Sequence, residues 1–264
     1  MSEEILFGLN EWFIFAIIIV LLLLATEIGF RLGRRGQSKN GEHTRSQVNT
    51  LQATSLGLVA LLLGFSFSMA MIRFDLRKQL VLDEANGIGT AYLRAQLLQE
   101  PSRKEVSNLL RRYVDVRLEF YQAGNNHRRL QKVNDDTERL HNDLWSYAIV
   151  TGGQDPRAIP AGMFIQSLND LIDLHAKRVT ALENHVPESV LILLCFAATL
   201  SLGLVGYGAG MGRLRNILPT LISVILIASV ILLIIDLDRP RRGLIKVSQQ
   251  RMVDLQGSFK RSVP

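Results

Sequence analysis

A chain of 264 residues that is 48% hydrophobic, with a mean hydropathy of +0.18, is more apolar than a soluble cytosolic enzyme allows. Its one cysteine, Cys195, excludes a disulfide framework and a cysteine-based zinc site. The net charge of +6 does not point to nucleic acid, because residues 73–187 carry 16 basic and 15 acidic side chains. The surplus lies in residues 31–50 and 239–264, beside apolar stretches, where lysine and arginine meet lipid headgroups.

Four apolar stretches, 12–29, 56–72, 190–211 and 217–235, each approach the roughly 20 residues a helix needs to cross ~30 Å of hydrocarbon. Residues 1–11 hold three glutamates and no lysine or arginine, so the first stretch is expected to be a retained anchor rather than a secretory signal. Glu27 lies one turn before Arg31, which predicts an interfacial contact; the alternative is a carboxylate on a conduction path. The second stretch has no charge until Arg73, Asp75, Arg77 and Lys78. With no proline before Pro101, it predicts one helix continuing outward to about Gln99.

The central segment has a helical period throughout. Ser102 and Glu105 form an S-x-x-E capping pattern, followed by Val106, Leu109, Tyr113, Val116 and Phe120 up to Gly124. A further stripe, Leu130, Val133, Thr137, Leu140, Leu144 and Ala148, stops at Gly152 and Gly153. The last, Phe164, Leu168, Leu171, His175, Val179 and Leu182, leads to Pro187. No run alternates as a strand does. Arg213 and Arg215 mark the turn between the third and fourth stretches, which are expected to form a helical hairpin with Pro219 in the first turn of its second arm. Gly203, Gly206, Gly208 and Gly210 predict close helix packing there. The expected fold is all-α, a four-span membrane protein with a helical extramembrane bundle. Its expected divisions are 1–72, 73–187, 188–238 and a basic tail, 239–264. The basic residues following the first span and those following the fourth argue for opposite orientations, so charge alone leaves the orientation open.

Chemistry is sparse. His43, His127, His141, His175 and His185 match no metal-binding spacing, and Gly87-Ile88-Gly89-Thr90 lacks the Gly-Lys-Ser/Thr of a phosphate loop. No nucleophile elbow occurs. No catalytic residue, metal or cofactor is expected, and an enzyme is the class least supported. Two polar clusters remain. One is Asp83 and Glu84, followed by Asn86, Thr90, Tyr92 and Arg94; the other is Asp236, Asp238, Arg239, Arg241 and Arg242 at the end of the fourth stretch. They predict a charged collar of Asp83, Glu84, Arg94, Asp236, Asp238 and Arg239 at the membrane exit, with Arg94 and Arg239 as partners of Asp236 and Asp238. Such a collar serves either as structural ion pairs or as the rim of an ion vestibule.

Three segments, LLLGFSFSMAMIRFDLRK, DEANGIGTAYLRAQLL and DLDRPRRGLIKVS, resemble the bestrophin-like family of bacterial multi-pass membrane proteins from Leu51 onward. More distantly, Leu63-Gly64-Phe65 followed by Arg73 is similar to the pore helix of true bestrophins, pentameric anion channels with four spans and a helical cytosolic domain. That resemblance implies a homo-oligomer, a ring of five, in the bacterial inner membrane, with its central segment cytosolic and with lipids and inorganic ions as its other partners. It implies a neck lined by Gly57, Leu61 and Phe65; the family's bulky residues at all three positions are here a glycine, a leucine and a phenylalanine. Arg239-Pro240 and Gly243 are similar to the family's Asn-Pro-Phe-Gly turn, with the asparagine and the phenylalanine replaced. Asp236 and Asp238 fall near the calcium clasp of animal members but lack its run of acids. The functional alternative is a non-conducting scaffold or sensor that binds a partner through its helical domain.

Overall fold

The computed structural model describes residues 10–36, 42–124, 126–154, 159–212, 217–239 and 243–261. The expected turn at Arg213 and Arg215 and the segment Pro240-Arg241-Arg242 lie outside the described residues, as do the side chains of His43 and His127. The described residues form eight helices and no strand: α1 (Glu11–Gly36), α2 (Glu42–Ala95), α3 (Ser102–Gln122), α4 (His127–Gln154), α5 (Ile159–Glu183), α6 (Glu188–Met211), α7 (Ile217–Leu237) and α8 (Gln250–Arg261). Four stretches among them are long and apolar enough to cross a membrane: Glu11–Arg35, Thr44–Ala95, Ile159–Met211 and Ile217–Leu237. The chain divides into two compact units, one of residues 1–73, 185–239 and 243–245, the other of residues 74–184, 240–242 and 246–264. Helix α2 contributes to both.

In the first unit α1 packs along α6 and more lightly against α7. The buried stripe of α1, Ile14, Ile18, Leu22 and Thr26, runs on into Gly29 and Gly33. A side chain at Gly29 would meet the carbonyl of Gly203, and one at Gly33 the carbonyl of Tyr207. Reciprocally, Gly206 faces the carbonyl of Thr26 and Gly210 that of Phe30. Two glycine pairs at four-residue spacing thus bring two backbones into direct contact, the close approach that lets helices associate where lipid removes the hydrophobic drive. The outward faces stay apolar, with Phe13, Leu24, Ile28, Ile192, Phe196 and Leu226 all exposed, as a lipid-facing surface requires. Arg31 Nε donates to Glu27 Oε1 at 2.8 Å on this exposed side, the expected i,i+4 contact.

The second unit has a conventional core. Ile88, Ala91 and Ala95 of α2 pack with Val106, Leu110, Tyr113 and Phe120 of α3, Leu140 and Leu144 of α4, and Phe164, Leu168 and Leu171 of α5. Two local expectations need correcting. Helix α2 ends at Ala95, short of Gln99, because the N–H groups of Leu97 and Leu98 bond back only three residues and tighten the chain ahead of Pro101. The hydroxyl of Ser102 makes no cap, since Ser102 is already helical. The carboxylate of Glu100 takes that place, accepting the N–H of Lys104 at 3.3 Å and pairing with Arg103 at 2.8 Å. Residues 250–261 are also more than a basic tail. They fold as α8, which buries Met252 and Phe259 in this core, with Phe259 stacked on Tyr92 at a centroid distance of 4.2 Å.

Candidate functional site

The pore-lining candidates sit on one face of α2. Within the first unit this helix buries Val48, Val59, Ser66 and Ala70. Leu61 is two residues beyond Val59, roughly 200° around the helix, and Gly57 and Phe65 lie one turn either side of Leu61. The three therefore occupy the side opposite the buried stripe. Leu61 is 54% and Phe65 65% exposed, and a Cβ placed on Gly57 or Gly64 meets nothing within 4 Å. The buried stripe includes a polar anchor, Gln52, whose Nε2 donates to the carbonyl of Leu204 at 2.7 Å.

The acidic residues at the end of α7 are committed to backbone N–H groups. Asp236, 4% exposed, accepts the N–H of Leu244 through Oδ1 and that of Ile245 through Oδ2, each at 2.9 Å. The turn that permits this brings Gly243, at φ +105°, against Asp236 Oδ1, a conformation and a clearance that only glycine satisfies. Asp238 is equally buried and its Oδ2 accepts the N–H of Val186 at 2.7 Å, with His185 Nδ1 3.4 Å away. Arg239, 3% exposed, has its Nη1 3.9 Å from Glu11 Oε1. Both carboxylate oxygens of Asp236 thus engage main-chain amides.

The cluster on α2 separates in the same way. Asp83 lies at the surface and accepts from Gln79 Nε2 at 2.9 Å, and Arg94 Nη1 donates to the carbonyl of Met163 at 2.9 Å. Glu84 points the other way, into the core of the second unit, and is fully buried. Arg117 Nε of α3 donates to Glu84 Oε1 at 2.7 Å, and Arg178 Nη1 of α5 pairs with Oε2. Tyr113 OH donates to Oε1 at 3.4 Å, His141 lies 3.2 Å from that hydroxyl, and the His141 and His175 rings meet edge to face at 5.1 Å. Arg178 Nη2 also donates to Gln249 Oε1 at 2.6 Å, tying in the segment before α8. Burial pushes the Glu84 carboxyl up, but the guanidinium groups of Arg117 and Arg178 outweigh it and hold it at about 2. Burial, with Arg117 beside them, lowers His141 to about 4 and His175 to about 3, so both rings are neutral at pH 7. Burial also raises the Tyr113 hydroxyl and keeps it un-ionised.

Sequence reasoning missed Arg117, Arg178, Tyr113, His141 and His175 as one network. The signal was present, since Arg117 follows Tyr113 by four residues and Arg178 follows Leu171 by seven, placing charges on apolar stripes. Among known proteins, a model of the bestrophin-like domain matches residues 18–252. No curated protein and no solved structure matches the chain.

Proposed function

The chain belongs to the bestrophin-like family, and from that premise we propose that it is a homo-oligomeric channel that passes inorganic ions passively, with α2 lining the pore. The observation that carries the reading is the stripe of Gly57, Leu61 and Phe65, exposed on the side of α2 opposite its buried face. A single subunit encloses no path behind an apolar helix face. A cyclic oligomer turns that face toward a shared axis, where an apolar constriction gates by dewetting. In this proposal the ring has five subunits in the bacterial inner membrane, with the second unit in the cytosol, and no residue has a catalytic role.

Native mass spectrometry of the full chain in mild detergent tests the assembly, together with cysteine cross-linking from Leu61→Cys in a Cys195→Ala background. The expected result is one oligomer well above the 29.6 kDa subunit, with efficient cross-linking at position 61. A clean monomer without cross-links overturns the channel and leaves the scaffold alternative.

A further inference from the structure

In the first unit the glycine contacts draw α1 onto α6, while α7 touches α6 only sparsely. A cavity of about 130 Å³ remains where the three helices meet. Its walls are Leu23, Thr26, Glu27 and Phe30 of α1, Ala209 of α6 and Leu221 of α7, among others. The polar groups of α1 at this point already have partners. Thr26 Oγ1 donates to the carbonyl of Leu22 at 2.8 Å, and Glu27 Oε1 accepts Arg31 Nε at 2.8 Å. What the space offers an occupant is therefore mainly carbon, and a volume of this order holds roughly six carbon atoms. Leu23 and Leu221 are 37% and 38% exposed, so the cavity opens onto the outer surface of the unit.

Its position specifies the other end of the occupant. The lining residues come from the last turns of α1 and α6 and the first turns of α7, which places the cavity at one end of the membrane-crossing helices. Arg31 stands one helical turn beyond Glu27, and Arg34 one turn beyond Phe30. Both continue the lining face of α1 outward, roughly 6 and 10 Å along the axis past Glu27, and one headgroup layer is about 5–8 Å thick. Arg31, Arg34 and their neighbour Arg35 are all exposed. Three guanidinium groups against the one carboxylate of Glu27 leave two positive charges in excess, which favours an anionic headgroup over a zwitterionic one.

We propose that this cavity is a site for one anionic phospholipid per subunit, with the upper carbons of one acyl chain filling it and the phosphate meeting Arg31 and Arg34. The lipid then wedges α7 against α1 and α6 where protein contacts are sparse. The inference does not rest on the channel reading, because α2 lines no part of the cavity.

The test is native mass spectrometry of the full-length protein in mild detergent, titrated with phosphatidylglycerol or with phosphatidylcholine of the same acyl chains. Phosphatidylglycerol should saturate at one molecule per subunit and bind about tenfold more tightly than phosphatidylcholine. Ala209→Phe, which fills the cavity and leaves every charge in place, should abolish this saturable binding. Arg34→Gln, which leaves the Glu27–Arg31 pair intact, should weaken phosphatidylglycerol about fivefold and phosphatidylcholine hardly at all. Equal affinity for the two lipids overturns the proposal. So does an Ala209→Phe protein that keeps its lipid but loses its assembly, since the cavity then receives a neighbouring subunit. Should Ala209→Phe fail to fold, photo-crosslinking of the wild type decides, using a phosphatidylglycerol with a diazirine at about the sixth acyl carbon. Crosslinks within residues 23–30 or 217–221 support the site, and crosslinks confined to other segments refute it.

Discussion

The carboxylate of Asp238 accepts the backbone N–H of Val186 across 52 residues of sequence, joining the chain that leaves α7 to the chain about to begin α6. A charged acceptor on a buried amide contributes roughly 1.5–3 kcal/mol, and more is lost when the amide is left unmatched. Asp238→Ala should therefore lower the melting temperature of the purified protein by several degrees. Asp238→Asn, which keeps one acceptor oxygen, should lose about half as much. Equal losses would mean that charge, not the hydrogen bond, is what Asp238 supplies.

Gly243 and Asp236 make a second, independent prediction. Gly243→Ala places a Cβ against Asp236 Oδ1 in a backbone conformation unfavourable for L side chains, and it should destabilise by about 1–3 kcal/mol. The double variant with Asp236→Ala should lose less than the sum of the two single changes, because the clash partner has gone. Strict additivity in a double-mutant cycle would contradict the turn described for these residues.

The glycine contacts between α1 and α6 predict a sharper failure. Gly206→Leu and Gly33→Leu each force two backbones apart, since the obstructing atoms are the carbonyls of Thr26 and Tyr207 rather than yielding side chains. Either variant should abolish a monodisperse peak in size-exclusion chromatography. Gly57→Leu, where a side chain meets nothing within the subunit, should leave each subunit folded.

Acid should loosen the second unit in a defined order. His141 and His175 are held at about 4 and about 3, below the ordinary 6.5, so the unfolded chain takes up protons first as the pH falls below 6.5. Glu84 is held at about 2 against an ordinary 4.5, so its contribution is complete above 4.5 and is lost as the pH falls toward 2. Both effects have the same sign. Stability should be level above pH 7 and fall continuously from pH 6.5 to 3. His175→Gln should reduce the slope all the way from pH 6.5 to about 3 and leave only the further loss toward pH 2, which belongs to Glu84, unchanged.

What the amino-acid order made legible was set by period. The stripe Val133, Thr137, Leu140, Leu144 and Ala148 is buried in α4 as its 3-4 spacing predicts, and the four apolar stretches recur in α1, α2, α6 and α7. Burial of charge was not legible, because Glu84 and Asp83 are neighbours with the same chemistry, and only the partners arriving from α3 and α5 distinguish them. Helix α8 was missed because its two core residues, Met252 and Phe259, stand seven apart in a polar segment, too sparse a signal to outweigh its charge. Gly29 and Gly33 escaped notice because their spacing crosses the end of the first apolar stretch.

Orientation is open to direct chemistry. Gly153 is exposed and a Cβ there meets nothing within 4 Å. Gly153→Cys in a Cys195→Ala background should resist a membrane-impermeant maleimide in intact spheroplasts and react after lysis. Labelling before lysis would put the second unit in the periplasm.

Planar-bilayer recording of the purified oligomer tests the central claim most directly, using Phe65→Cys in the Cys195→Ala background before and after a charged thiol reagent. The account predicts single-channel currents from the unmodified protein and an abrupt change in conductance when a charge is attached at position 65. Bilayers that stay silent, or currents that ignore modification at position 65, would contradict it.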